Sequence, residues 1–239
     1  FLFTQQGFSL AHVVHMAIAT SIATILFTSL SSVRAHNKRG GVLWPLVRWI
    51  GAGGLIGTLL GAQIAGLIST PWLALVFALF ISYSAYKMIS AKQPVVGSVA
   101  AAPSPGGMFA LGTFAGVASG LVGAGGAFIT VPYMRKHHIG VHAALGTSAA
   151  IGFPIAVGGL AGYALAGWKV HSALPPHTLG YVYLPALLVV ALASMTFAPL
   201  GARAAHALDT KVLSRIFAVL LSAMALYMLY KSAVTFKVL

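Results

Sequence analysis

Three groups of residues in this sequence have types and spacings that chemistry can use: a glycine cluster, two Thr-Ser pairs and a set of histidines. Gly123, Gly125 and Gly126 fall within four residues, in a stretch that runs on to Val131-Pro132. Glycines this dense unwind a helix readily. Thr20-Ser21 and Thr147-Ser148 place hydroxyls on adjacent positions, so one can face a cavity while the other bonds a backbone carbonyl. Hydroxyls and free backbone N–H groups can hold an oxyanion without the desolvation cost of a buried Lys or Arg. The chemistry on offer is therefore reversible anion binding. Tight packing with a kink before Pro132 would also account for the glycines, and hydroxyl pairs also join helices as structural links.

Other chemistries find less support. The nine histidines include His12, His15, His137, His138 and His142, but cysteine is absent and the only acidic side chain is Asp209. A metal site would have to be nearly all imidazole, so interfacial or loop histidines are the better reading, with no metal or cofactor assigned. Disulfides and iron–sulfur clusters need the missing cysteine. An intramembrane serine protease of the rhomboid type needs Gly-x-Ser-Gly, and the residues before Gly120 are Val117-Ala118-Ser119, so that motif fails at its first glycine. No catalytic residue is assigned. Carriers coupled to protons or sodium usually hold an intramembrane carboxylate. Asp209 lies between apolar segments, which leaves a histidine, a residue outside this sequence, or uncoupled transport.

These residues are carried by a chain that is 59% hydrophobic and 6% charged over 239 residues. A soluble domain has about a quarter charged residues and could not cover its surface with so few. Apolar segments lie at about 8–33, 43–68, 72–90, 107–133, 141–167, 179–202 and 212–231. Each approaches the roughly 20 residues a helix needs to cross a bilayer. The fold class expected is all-α, a polytopic helical membrane protein. The formal charge of +13 does not point to nucleic acid, because most Lys and Arg stand at segment ends, as topology signals and lipid contacts do. The partners expected are a small anion and membrane lipid, with a homo-oligomer left open.

The segments fall into two related halves, 1–92 and 107–239, joined by a Pro-, Ala- and Ser-rich linker at 93–106. His15 to Ser21 matches His142 to Ser148 at an offset of 127. From Leu60-Gly61-Ala62 and Leu200-Gly201-Ala202 a second register, at 140, holds to Met88/Met228 with 11 identities in 29 positions. Such duplications are common in secondary transporters. The second half opens with 107–133, whose counterpart would precede Phe1, so about four segments per half are expected and one is missing from the first. The chain opens on Phe1 without a basic region or cleavage site, unlike a signal peptide.

Arg34, Lys38, Arg39 and Arg48 mark the first loop as cytoplasmic. If every later segment spans once, Lys87, Lys92, Lys169, Lys231 and Lys237 are also inside, and Arg135, Lys136, Arg203, Lys211 and Arg215 outside. Four spans per half would make the repeats parallel; a broken or re-entrant 107–133 would make them inverted. Gly53, Gly57, Gly61 and Ala65 form a small-residue face suited to helix packing. Gln63 aligns with Arg203, which at a helix end would snorkel to headgroups.

At the glycine cluster and the Thr-Ser pairs the sequence resembles the TauE/SafE family of sulfite and organosulfonate transporters. The second half carries Gly123-Ala-Gly125-Gly126, Val131-Pro132, Ala144-Leu-Gly-Thr147-Ser148 and Leu200-Gly201-Ala202. The first carries Ala17-Ile-Ala-Thr20-Ser21 and Leu60-Gly61-Ala62. The resemblance implies export of sulfite, sulfoacetate or another organosulfonate across a bacterial inner membrane. The binding residues expected are Thr20, Ser21, Gly123, Gly125, Gly126, Thr147 and Ser148. Uptake of a small carboxylate or other oxyanion, or a non-transporting assembly or sensor subunit, are the alternatives.

Overall fold

The computed structural model describes residues 11–38, 40–90 and 104–207, with scattered helical positions between 219 and 230. Most of the segment at 212–231 lies outside the described residues, as does the start of the first. Helix α1 is Val13–Asn37, α2 is Trp44–Leu67, α3 is Thr70–Ser90 and α4 is Pro105–Val122. After them come α5 (Ala127–Lys136), α6 (Val141–Trp168), a 3₁₀ turn at His171–Ala173 and α7 (Leu184–Ala207). A two-stranded antiparallel hairpin, β1 (Thr178–Leu179) and β2 (Val182–Tyr183), precedes α7. An all-helical chain leaves no room for this hairpin, so it is a small correction to the expected fold.

The burial pattern inverts that of a soluble protein. On α2 the small residues Gly53, Gly54, Gly57 and Gly61 are buried, while Ile56, Leu60 and Ile64 are 45–47% exposed. Water would not tolerate that face; lipid does. The glycines let backbones touch. A Cβ on Gly57 would lie 2.1 Å from the Thr113 carbonyl oxygen of α4, and one on Gly112 would lie 2.1 Å from that of Ile50. A Cβ on Gly158 of α6 would meet the Leu55 carbonyl oxygen at 2.1 Å. Helix α2 is thus the central post, with α4 and α6 on either side.

These contacts fix the helix directions. Gly53 meets Phe109, Gly57 meets Thr113 and Gly61 meets Val117, so α2 and α4 run parallel. Leu55 meets Gly158, Leu59 meets Gly162 and Gly66 meets Ala166, so α6 runs the same way. All three start at what is here termed the Leu43 end and point toward the Ile68 end. Helix α1 runs oppositely, for its His15 bonds the carbonyls of Ala65 and Ile68.

Four described helices are long and apolar enough to cross a membrane, α4 among them at 18 residues. Length alone misleads for α4. Both α4 and α6 start at the Leu43 end, so the intervening chain must return there. It does so through the break at Gly123–Gly126 and the 10-residue α5. Segment 107–133 is a re-entrant hairpin rather than one span. That corrects the expected sidedness: Arg135 and Lys136 close α5 at the same end as Arg34, Lys38 and Arg48, and Lys169 caps α6 at the opposite end. Helices α3 and α7 start at the Ile68 end.

The packing makes a prediction. Gly57→Ala and Gly116→Ala gain about 1 kcal/mol of helix propensity, yet should lower the unfolding temperature in detergent, because each new methyl meets backbone of the partner helix. Gly140→Ala, with nothing within 4 Å, should leave it unchanged. A stabilised Gly57→Ala protein would mean that α2 and α4 are not in backbone contact.

Candidate functional site

The break that the glycines foretell is present. Helix α4 ends on Gly123 (φ 75°) and α5 begins after Gly126 (φ 74°), both in the left-handed region that glycine adopts without strain. The Gly123 N–H bonds the Ser119 carbonyl at 2.7 Å, and the Ser119 hydroxyl donates to the Ala124 carbonyl. Fully buried Tyr163 of α6 donates to the Gly120 carbonyl at 2.6 Å. Carbonyls freed by the unwinding are thus satisfied by protein, the condition for non-helical backbone at membrane depth. Different groups are left over on the other side of the break. A helix cannot satisfy its own first N–H groups, and those of Ala127 and Phe128 stand at the positive end of the α5 dipole. A Cβ on Gly126 would meet Ile155 of α6 at 2.7 Å, about halfway along that helix, so this helix start lies midway along the bundle, with Gly126 buried and Ala127 and Phe128 exposed.

The Thr-Ser pairs sit on either side of the break. Ser21 reaches the tip: its Oγ lies 3.5 Å from the Gly123 carbonyl oxygen, and a Cβ on Gly123 would touch Ile18 one turn earlier. Ser148 reaches the return helix, with its Oγ 2.8 Å from Thr130 Oγ1, which in turn donates to the Gly126 carbonyl at 3.2 Å. The two pairs are not in one cavity. Ile22 packs beside Thr58 against Gly159, whereas Thr147 stands at Leu43. Fifteen residues of α2 separate Thr58 from Leu43, roughly 20 Å of helix rise. Gly125 lies against Ile25 of α1, so Ser21, Gly123 and Gly125 form one group, while Gly126 is joined to Ser148 through Thr130 and Thr147 stands at Leu43. Of the four paired hydroxyl residues only Ser21 is exposed; Thr20, Thr147 and Ser148 are buried.

The threonines have another task. Thr147 Oγ1 accepts the N–H of Leu43, the residue before α2, at 3.0 Å. Thr20 Oγ1 accepts the N–H of Tyr183, the residue before α7, at 3.1 Å. Each hydroxyl caps the start of a helix that belongs to the other half of the chain. At the Ile68 end, His15 Nε2 lies 3.0 Å from both the Ala65 and Ile68 carbonyl oxygens, so that nitrogen carries the proton and closes the end of α2. Its ring stacks on Tyr181, 5.1 Å away, whose hydroxyl burial holds above its ordinary pKa. His15 is thus a buried structural link, not the interfacial or loop histidine expected. Ser119, Thr130 and Tyr163 were not anticipated either. The first two stand one turn before Gly123 and one turn after Gly126, which is the signal that points to them.

Apolar helices that bury glycine and expose leucine to lipid, around a hairpin unwound in their midst, define a polytopic helical membrane protein. The chain belongs to the sulfite exporter TauE/SafE family, matched over residues 3–228, and is a membrane transporter of that family. It is 31% identical over 216 residues to a probable membrane transporter protein of Haemophilus influenzae, covering 90% of this chain and 81% of that one. A probable membrane transporter protein of Bacillus subtilis is 28% identical over 65% of each chain. One from Methanocaldococcus jannaschii is 25% identical over 95% of this chain and 84% of its own. No solved structure matches significantly.

The capping bonds are testable. Thr147→Val and Thr20→Val keep shape but lose the acceptor, and each should cost about 1–2 kcal/mol in unfolding free energy. Thr147→Ser should restore most of it. Equal losses for valine and serine would show that the hydroxyl does not cap.

Proposed function

We propose that the protein exports a small sulfur-containing oxyanion, sulfite or an organosulfonate, from the bacterial cytoplasm, and binds it at the tip of the α4–α5 hairpin. The observation that carries this reading is the start of α5 midway along the bundle, with no partner for its first N–H groups among the described residues and the exposed Ser21 hydroxyl beside the adjoining turn. Such half-helix N-termini suit anionic groups. Backbone N–H and hydroxyl donors would replace the hydration shell of the anion and release it again, where a fixed cation would retain it.

Two inverted repeats fit this arrangement. At the 127 offset Thr20 corresponds to Thr147, and at the 140 offset Leu43 corresponds to Tyr183. The two capping bonds are therefore the same bond made twice in opposite senses, and α1 and α6 run antiparallel. The step between the offsets falls at and after the end of α6: α6 runs four residues past the counterpart of Asn37, and fifteen residues, including the β-hairpin, join α6 to α7 where six join α1 to α2. Helices α2 and α7, which the second offset pairs, also run in opposite directions, as an inverted pair of halves requires.

Among the described residues, Arg34, Lys38, Arg48, Arg135 and Lys136 belong to the Leu43 end, against Lys169 at the other. That bias supports a cytoplasmic Leu43 end. A departing anion then gains roughly 2.3 kcal/mol per charge for 100 mV, inside negative. Electrogenic efflux needs no coupling carboxylate, and none lies in the described spans.

Liposomes loaded with sulfite or sulfoacetate should release it faster when the inside is made negative. Ser21→Ala should weaken anion binding, read by thermal stabilisation, by about 1–3 kcal/mol. Flux that ignores the potential and follows a pH gradient would reject this mechanism and turn attention to the histidines.

A further inference from the structure

At the Leu43 end a cleft opens between the last turns of α1 and the middle of α7. Its volume is about 350 Å3, and Phe27, Leu30, Ser31, Arg34, Lys38 and Met195 line it. We propose that this cleft holds the phosphate of an anionic phospholipid, with the head at Arg34 and Lys38 and an acyl chain along Phe27, Leu30 and Met195.

Four observations favour that occupant. Arg34 and Lys38 lie one helical turn apart, two like charges that repel unless an anion lies between them. The chain itself holds a single acidic side chain, Asp209, so a counter-charge must largely come from outside. The floor is apolar and open sideways: Phe27, Leu30 and Met195 are 39–44% exposed. Along α1 the order is apolar, then hydroxyl, then cationic, the profile of a lipid from chain to phosphate. The cleft also has about ten times the volume of a water molecule, roomy for a small oxyanion but suited to a glycerophosphate head. A free hydrophilic anion would face three apolar side chains that offer it no hydrogen bond. Basic pockets between helices on the cytoplasmic side recognise anionic headgroups in this way. The assignment to the cytoplasmic leaflet rests on the orientation proposed above; the lipid contact does not.

The test uses purified protein in neutral detergent, with phosphatidylglycerol, phosphatidylcholine, inorganic phosphate and sulfite added separately and bound lipid counted by native mass spectrometry. Phosphatidylglycerol should be retained and raise the unfolding temperature, while phosphatidylcholine should do neither. Arg34→Gln with Lys38→Gln should weaken phosphatidylglycerol retention about tenfold or more, whereas Arg48→Gln with Lys136→Gln, which removes two charges at the same end outside the cleft, should not. Ser31→Glu, which leaves both cations but supplies them with a carboxylate, should weaken it as well, and serves if the double variant does not fold. Equal retention of phosphatidylcholine, or equal loss in the Arg48/Lys136 variant, would overturn the proposal. Displacement of the lipid by millimolar phosphate or sulfite would overturn it too, and would mark the cleft as a vestibule for soluble anions. None of these outcomes depends on flux, so failure here leaves the transport reading untouched.

Discussion

Everything in this structure depends on how closely α2 lets its neighbours approach. In lipid there is no hydrophobic gain from pressing two apolar helices together, so association rests on packing and hydrogen bonds. Helix α2 meets that demand with Gly53, Gly57 and Gly61 against α4 and with Leu55 against Gly158 of α6, all at backbone contact. The large residues Ile56, Leu60 and Ile64 are displaced to the outer surface. A methyl group on the inner face would push α4 away, and with it the break that α4 carries.

That close approach makes a non-helical turn tolerable inside an apolar bundle. Unwinding at Gly123–Gly126 frees carbonyls that nothing in lipid could satisfy. Tyr163 and Ser119 satisfy two of them because α6 and α4 are held against the same post. Among the described residues the N–H groups at the start of α5 have no such provision, and the proposed anion site rests on this asymmetry. Holding the helices in register falls to Thr20 and Thr147, whose hydroxyls cap α7 and α2 across the two halves, and to His15, which closes the other end of α2.

Much of this was legible in the sequence, and the limits have physical causes. The helices follow from the apolar blocks, and the break from three glycines in four residues. The return of the chain does not follow, because a re-entrant hairpin buried in protein is as apolar as a span: segment 107–133 carries no charged residue, and hydroxyls such as Ser119 and Thr130 are equally at home within a span. One turn reverses the sidedness of everything after it, so a reading in which every segment spans once puts Arg135, Lys136 and Lys169 at the wrong ends. The Thr-Ser pairs were visible as a repeat, but the partners of Thr20 and Thr147 are backbone N–H groups, which leave no trace in residue type. Ser21 and Ser148 read as one site because they hold matching sequence positions, but Ser21 stands beside Gly123 and Ser148 beside Thr130.

The central claim is that the chain between α4 and α6 returns to the end from which it came. The absence of cysteine from these 239 residues makes them a ready background for single-cysteine labelling. Asn37→Cys, Gly140→Cys and Ser172→Cys place a thiol after α1, between α5 and α6, and in the 3₁₀ turn after α6. A membrane-impermeant maleimide should reach Cys at 37 and 140 from the same side of sealed vesicles, and Cys at 172 from the other. Labelling of 140 from the side opposite to 37 would mean that α4–α5 crosses the membrane once, and would contradict the hairpin, the inversion and the binding site built on both.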